Sequence, residues 1–241
     1  MNSSKNTNNP HTGDSREDQR HITMKHLIAP RITLDTDPAP RDVSALMDKA
    51  GVQTNVIGTI NWAAFPYRPA VKFRIAHTGS SILLHYTVGE RMTRAVYGDD
   101  LGQVWTDSCV EFFSSPADDG CYYNLETNCI GTVLLCRGTS REGREPAPAE
   151  SLAAIGRYST LGRKPFAEHH IDEWQLSLVI PAKALWFGHT TDSLDGLVIG
   201  ANFYKCGDKL PEPHFVSWNA IDVPQPDFHR PDHFGRVTFG K

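Results

Sequence analysis

The sequence predicts an all-β fold, a jelly-roll-like β-sandwich of two antiparallel sheets with one or two short helices. Three observations predict it. Apolar and polar residues alternate in short runs that recur roughly every 8–12 residues. Gly, Pro, Asn and Asp gather between those runs, where the chain must turn. Helical periodicity is almost absent.

Composition bounds the rest. The chain has 241 residues, 39% of them hydrophobic and 22% charged, enough for one globular domain with a substantial core. A net charge of −4 without a basic run argues against nucleic-acid or membrane-surface binding. No apolar run approaches the roughly 20 residues that span a bilayer. Residues 1–30 are polar and aperiodic and read as a disordered tail, leaving 31–241 as a single domain. That tail has no apolar signal-peptide core, so the sequence as it stands reads as cytoplasmic. An extracellular or periplasmic site would require a leader that had been removed. A monomer is expected.

The elements follow in order. Asp42 is a candidate N-cap for a short helix from Val43 to Ala50, which Gly51 ends. Val52–Ile57 is a candidate strand, and Asn61–Pro69 is an aromatic, proline-rich loop. Val71, Phe73 and Ile75 alternate with polar residues, then His77–Ser80 turns the chain. Ile82, Leu84, Tyr86 and Val88 form the return strand of a hairpin. After a Gly/Asp loop at 98–102 come strands at Cys109–Ser114, Tyr122–Asn128 and Thr132–Arg137. A polar loop fills 138–150. Further strands are expected at Ile155–Ser159, Trp174–Ile180, Leu197–Cys206, His214–Trp218 and Gly235–Phe239, with one helical turn at Ala182–Phe187.

The stretch Trp105–Phe113 draws the functional question. Val110 and Phe112 fall on one face of a period-2 pattern, and Cys109, Glu111 and Phe113 on the other. A carboxylate between apolar neighbours needs a partner or a ligand, because burying it unpaired costs several kcal/mol or more. Trp105 precedes the strand in a loop that can present its ring. On the next strand Asn124, Glu126 and Asn128 share a face, and Asn202 and Tyr204 share one further on, with Lys205 opposite. Rows of planar hydrogen-bonding groups beside aromatic plates suit sugars, whose C–H faces stack while their hydroxyls pair. Trp105, Trp62, Trp218 and Phe228 are the candidate plates, whereas Trp174 and Trp186 occupy core-like positions.

Other chemistries find less support. The five cysteines lack CxxC spacing and read as reduced thiols. His229 and His233 are four apart, but Pro231 between them rules out a shared helix face. No GxSxG nucleophile elbow is present. A second reading, glycoside hydrolysis, would use Glu111 and Glu126 as an acid/base pair. A third is a β-domain that binds a protein partner and whose ligand site has been lost.

Two motifs at matching spacing carry a resemblance. Trp105, Asp107-Ser108, Val110-Glu111 and Phe113 form one, and Phe228-His229-Arg230-Pro231-Asp232-His233-Phe234-Gly235 the other. The chain from about residue 50 to 241 resembles family 9 carbohydrate-binding modules, the type attached to xylanases and other glycoside hydrolases. The resemblance implies a non-catalytic domain serving polysaccharide breakdown, with cellulose- or xylan-type mono-, oligo- or polysaccharides as partners. A sugar would lie between two plates, Trp105 and Phe228. Glu111, Asn124, Glu126, Asn202 and Gln225 would bond its hydroxyls, and Trp62 and Trp218 would line the rim. The family has Trp where Phe228 stands, and its site arginine falls near Asn124, where no arginine stands. It also implies structural calcium, for which Asp99, Asp100, Asp118 and Asp119 are the loop acids at hand.

Overall fold

The computed structural model describes residues 24–241. The strands are β1 (His26–Ala29), β2 (Asn55–Ile57), β3 (Thr59–Ile60), β4 (Ala70–His77), β5 (Ser81–Gly89), β6 (Thr93–Ala95), β7 (Cys109–Ser115) and β8 (Tyr122–Asn128). They continue with β9 (Val133–Gly138), β10 (Glu145–Pro146), β11 (Gly156–Ser159), β12 (Phe166–His169), β13 (Trp174–Pro181), β14 (Val198–Cys206), β15 (Phe215–Ser217) and β16 (Gly235–Phe239). Three short helices, α1 (Val43–Lys49), α2 (Ala149–Ala154) and α3 (Ala182–Leu185), lie between them.

The strands make a sandwich. One sheet has nine strands, in the order β1-β16-β14-β7-β8-β9-β10, with β15 and β3 continuing beside the far end of β14. The facing sheet has five, β11-β13-β5-β4-β2, and β6 and β12 form a separate pair. Alternation along each strand fills the space between the sheets. Val110, Phe112, Leu125 and Phe203 of the large sheet meet Phe73, Tyr86, Leu176 and Leu178 of the small one. Phe73 and Phe203 stack at 4.1 Å across this core. Trp174 and Trp186 are fully buried in it.

Several boundaries differ from expectation. Residues 26–29 fall within the segment expected to be a disordered tail, yet they form β1, parallel to β16. Leu27 and Ala29 point into the core and His26 and Ile28 do not, a period-2 signal too short to stand out within a polar N-terminus. The sandwich is therefore antiparallel except at this edge. The rest of that tail, residues 1–23, lies outside the described residues. Asp42 makes no side-chain cap bond, because Pro40–Asp42 is a 3-10 turn running straight into α1. Gly51, at φ +62°, ends that helix in a backbone conformation that side chains rarely adopt. Strand β10 lies within the stretch read as loop, and helix α2 begins at its last two residues and runs on to Ala154. Among the described residues no helix is long and apolar enough to cross a membrane, and all five cysteines are free.

Candidate functional site

The outer face of the large sheet is not a solvated surface. Cys109 and Phe113 on β7, Tyr122 on β8, and Tyr204 and Cys206 on β14 pack with Trp62, Ile221, Phe228 and Phe234 from the covering loops into a second apolar cluster. Those loops leave a pocket of about 310 Å³ over the sheet. Its floor holds Glu111, Phe113, Asn124, Glu126 and Cys206, and its rim holds Trp105, Asp208, Arg141, Arg144, Asp227 and His229.

Strand register sets the floor. Glu111 lies opposite Glu126 on one side and opposite Tyr204 on the other, so two carboxylates become direct cross-strand neighbours. They are 3% and 4% exposed. Like charges in that relation destabilise a sheet unless something neutralises them. Among the described residues only neutral donors bond them. The Cys206 thiol donates to Glu111 Oε1 at 3.0 Å, and the Asn124 amide donates to Glu126 Oε1 at 2.9 Å. Glu126 Oε2 is buried without a partner among the described residues. Burial, then the neighbouring Glu126, pushes the Glu111 carboxyl well above the ordinary carboxylate range. Burial pushes Glu126 up to about 7 and Asp208 up to about 6.

A pH dependence follows. A carboxylate whose folded pKa exceeds its unfolded value favours the folded state while protonated, so the contribution is full below the unfolded pKa. It is lost as pH rises through the folded value, here from about 4.5 towards 7 for Glu126. Buried histidines oppose this at the acid end, since burial lowers His85 and His229 to about 4 and so favours unfolding as pH falls below 6.5. The difference between wild type and Glu126→Gln isolates the carboxylate. Thermal melts should show the wild type losing stability relative to the variant as pH rises from 5 to 8. A constant difference would remove Glu126 from the account.

The motif residues between Trp105 and Glu111 hold the rim in place. Asp107 is fully buried, accepts the backbone N–H groups of Val96 and Tyr97 and the Asn128 amide, each at 3.0 Å, and faces Arg94 Nε at 3.3 Å. Ser108 Oγ accepts Arg94 N–H at 3.1 Å. These bonds tie the chain after β6 to the start of β7 and fix the 3-10 turn Val104–Thr106, which carries the half-buried Trp105. In the second motif, a Cβ on Gly235 would come within 2.5 Å of the Trp218 ring and 2.7 Å of Lys25 carbonyl oxygen. Only glycine fits there.

Trp105, Glu111, Asn124, Glu126 and Phe228 thus line one pocket, while four other candidates do not. Asn202 is fully buried, donating to Asn219 O and accepting from Phe203 and Asn219 N–H. Trp218 turns inward and packs edge-on against Phe73 and Phe203. Trp62 sits behind Phe228, 6.1 Å away, and donates to Val223 O, bracing the loop rather than the rim. Gln225 is exposed on the loop's outer side, off the pocket lining. Phe228 itself is 9% exposed, because Tyr204 stacks on one face at 4.2 Å and 7° and donates its hydroxyl to Phe228 O.

An arginine does reach Asn124. Arg144, from the loop after β9, donates Nε to Asn124 Oδ1 at 2.8 Å and Nη2 to Tyr122 O at 2.9 Å, with its guanidinium 4.1 Å over the Tyr122 ring. It fixes the amide so that its NH₂ aims at Glu126. His229 bonds Tyr122 OH through Nδ1 at 3.0 Å, and burial, then Arg144, lowers its pKa to about 4, so it stays neutral.

The expected calcium ligands do not converge. Asp100 is bonded by Arg157 and Val133 N–H, and Asp119 closes its own turn on Cys121 N–H. Among the described residues the one close trio of metal-type donors is Cys109, Glu111 and Cys206, within 4.8 Å of one another. Two thiols do not suit a hard, oxygen-seeking cation, so these residues do not fit calcium. Hydrolysis fits poorly as well. Glu111 and Glu126 approach any ligand from the same side, whereas glycosidases flank the scissile bond with their two acids.

An aromatic rim and a polar floor thus enclose a pocket on the outer face of a β-sandwich. The family profile described as carbohydrate-binding family 9 matches residues 41–239, and the chain belongs to that family. A crystal structure of a candidate carbohydrate-binding protein from Bacteroides uniformis is similar at 44% identity. The match covers 90% of this chain and 100% of that one, with a TM-score of 0.87. A family 9 module from Caldicellulosiruptor kristjanssonii, solved with cellotriose, shares the fold at 10% identity and a TM-score of 0.57 (90% and 94% covered). The same description with glucose gives 10% identity and a TM-score of 0.52 (90% and 97% covered). No curated protein matches the chain.

Proposed function

We propose that the domain holds one or two sugar residues in this pocket, as a non-catalytic module serving polysaccharide breakdown. The observation that carries the reading is Glu126 Oε2, a buried acceptor without a partner, at the floor of a cavity rimmed by Trp105. A buried polar atom left unpaired costs about 1–3 kcal/mol, which a ligand hydroxyl relieves. The volume is at the small end of ligand pockets, and suits a mono- or disaccharide unit rather than a long chain segment. Trp105 stacks on the sugar face. Phe228, with one face covered by Tyr204, forms a wall rather than a free plate. Asn124, oriented by Arg144, and Glu111 complete the hydrogen-bonding floor.

A glycan array followed by calorimetry tests this. Trp105→Ala should weaken binding about 30-fold or more, roughly 2 kcal/mol, the size of an interface hot spot. Binding that survives the substitution unchanged, or no glycan bound by the wild type, defeats the reading.

A further inference from the structure

The carboxylates in the pocket outnumber the cations free to serve them. Of the rim bases, Arg141 sits 3.7 Å from Asp227, and Arg144 is spent on Asn124 and on the carbonyls of Tyr122 and Ser140. Lys205, the next residue to Cys206, points through the sheet to Glu90. That leaves Glu111, Glu126 and Asp208 lining one cavity with no ion pair among the described residues. Glu126 is more than nine-tenths buried and keeps one oxygen unpartnered.

A neutral hydroxyl offers this set one donor and no charge. An ammonium offers three donors and the missing positive charge, and charge-assisted bonds are about twice as strong as neutral ones. An ammonium near Trp105 and Phe228 also meets the aromatic faces that favour cations. From this geometry we infer that the pocket selects sugars bearing a free amino group, with the ammonium seated on Glu126, Glu111 and Asp208. This rests on the reading of the pocket as a sugar site, and it narrows the ligand to hexosamine-type units over their neutral or N-acetylated counterparts.

Calorimetry at about pH 7.5, above the Glu126 titration and near that of an amine, compares matched sugars. The probes are glucosamine against glucose and N-acetylglucosamine, and galactosamine against galactose. At least one free amine should bind about tenfold or more tighter than its neutral partners. Glu126→Gln, which removes the charge and keeps the shape, should bring that ratio close to one. Equal or tighter binding of the neutral sugars overturns the inference while leaving the sugar-binding reading intact. So does an amine preference that survives Glu126→Gln. If no member of the set binds while the glycan array finds another sugar that does, this inference fails and the sugar-binding reading stands.

Discussion

Asp107→Ala should cost the domain roughly 3–5 kcal/mol of stability and loosen the pocket at the same time. The carboxylate is fully buried, accepts from two backbone N–H groups and the Asn128 amide, and forms an ion pair with Arg94 Nε at 3.3 Å. Alanine leaves those donors unpaired, at about 1–3 kcal/mol for each one that water cannot reach. It also strips Arg94, side chain 21% exposed, of its nearest carboxylate, leaving Glu168 at 3.7 Å. Breaking a buried charge network in this way belongs to the few mechanisms that exceed the usual mutational cost. Asp107→Asn keeps one acceptor oxygen and should fall between the two. Urea unfolding measures the loss. A change below about 1 kcal/mol for the alanine variant would mean that the network contributes little. Because Val104–Thr106 is tied to the same junction, sugar affinity measured below the melting transition should drop as well. Retained affinity would show that Trp105 is placed by other contacts.

The Asp107 network explains why part of this site was legible in the sequence. Local alternation fixes facing, so the division of β7 into a core face with Val110 and Phe112 and a pocket face with Glu111 could be read from residue order alone. The placement of Trp105 ahead of that strand was equally local. Depth and cover are not local. Asn202 shares a face with Tyr204, as alternation requires, but the segment around Asn219 covers it and takes up its amide. Trp218 ends the expected strand His214–Trp218 on the same face as Val216, and it turns inward with that residue into the core. Phe228 was readable as an aromatic, but not the Tyr204 ring across its face, because β14 lies more than twenty residues away. Arg144 was missed for a related reason. The resemblance pointed to an arginine on the strand itself, while the fold delivers one from a loop twenty residues downstream. Glu126 opposite Glu111 is a fact of register, which the sequence expresses only once two strands are paired.

Lys205 shows the same limit on the opposite face of the strand, and its replacement is the second large effect expected. Alternation sets Lys205 against Tyr204, and the face it takes is the interior between the sheets, where its side chain is fully buried. Its Nζ donates to His214 Nε2 and to Cys206 O and forms an ion pair with Glu90 Oε2, each at 2.8 Å. Trp174 Nε1 donates to the other Glu90 oxygen at 2.8 Å. His214 Nδ1 bonds Glu212 O, so the ring is the neutral tautomer with a free Nε2 lone pair. Burial, then Lys205, lowers His214 to about 3 and keeps it in that state. Its contribution is present above the unfolded pKa of about 6.5 and is lost as pH falls towards 3. Lys205→Met should therefore destabilise by about 3–5 kcal/mol, mainly by stranding a buried Glu90 carboxylate. The pair itself need not be strongly stabilising, since two charges were desolvated to form it. A double-mutant cycle separates the two statements. If the cost lies in the orphaned charge, Lys205→Met combined with Glu90→Gln should recover more than half of the loss. A double variant as unstable as the sum of the singles would show that each side chain acts through its own packing instead.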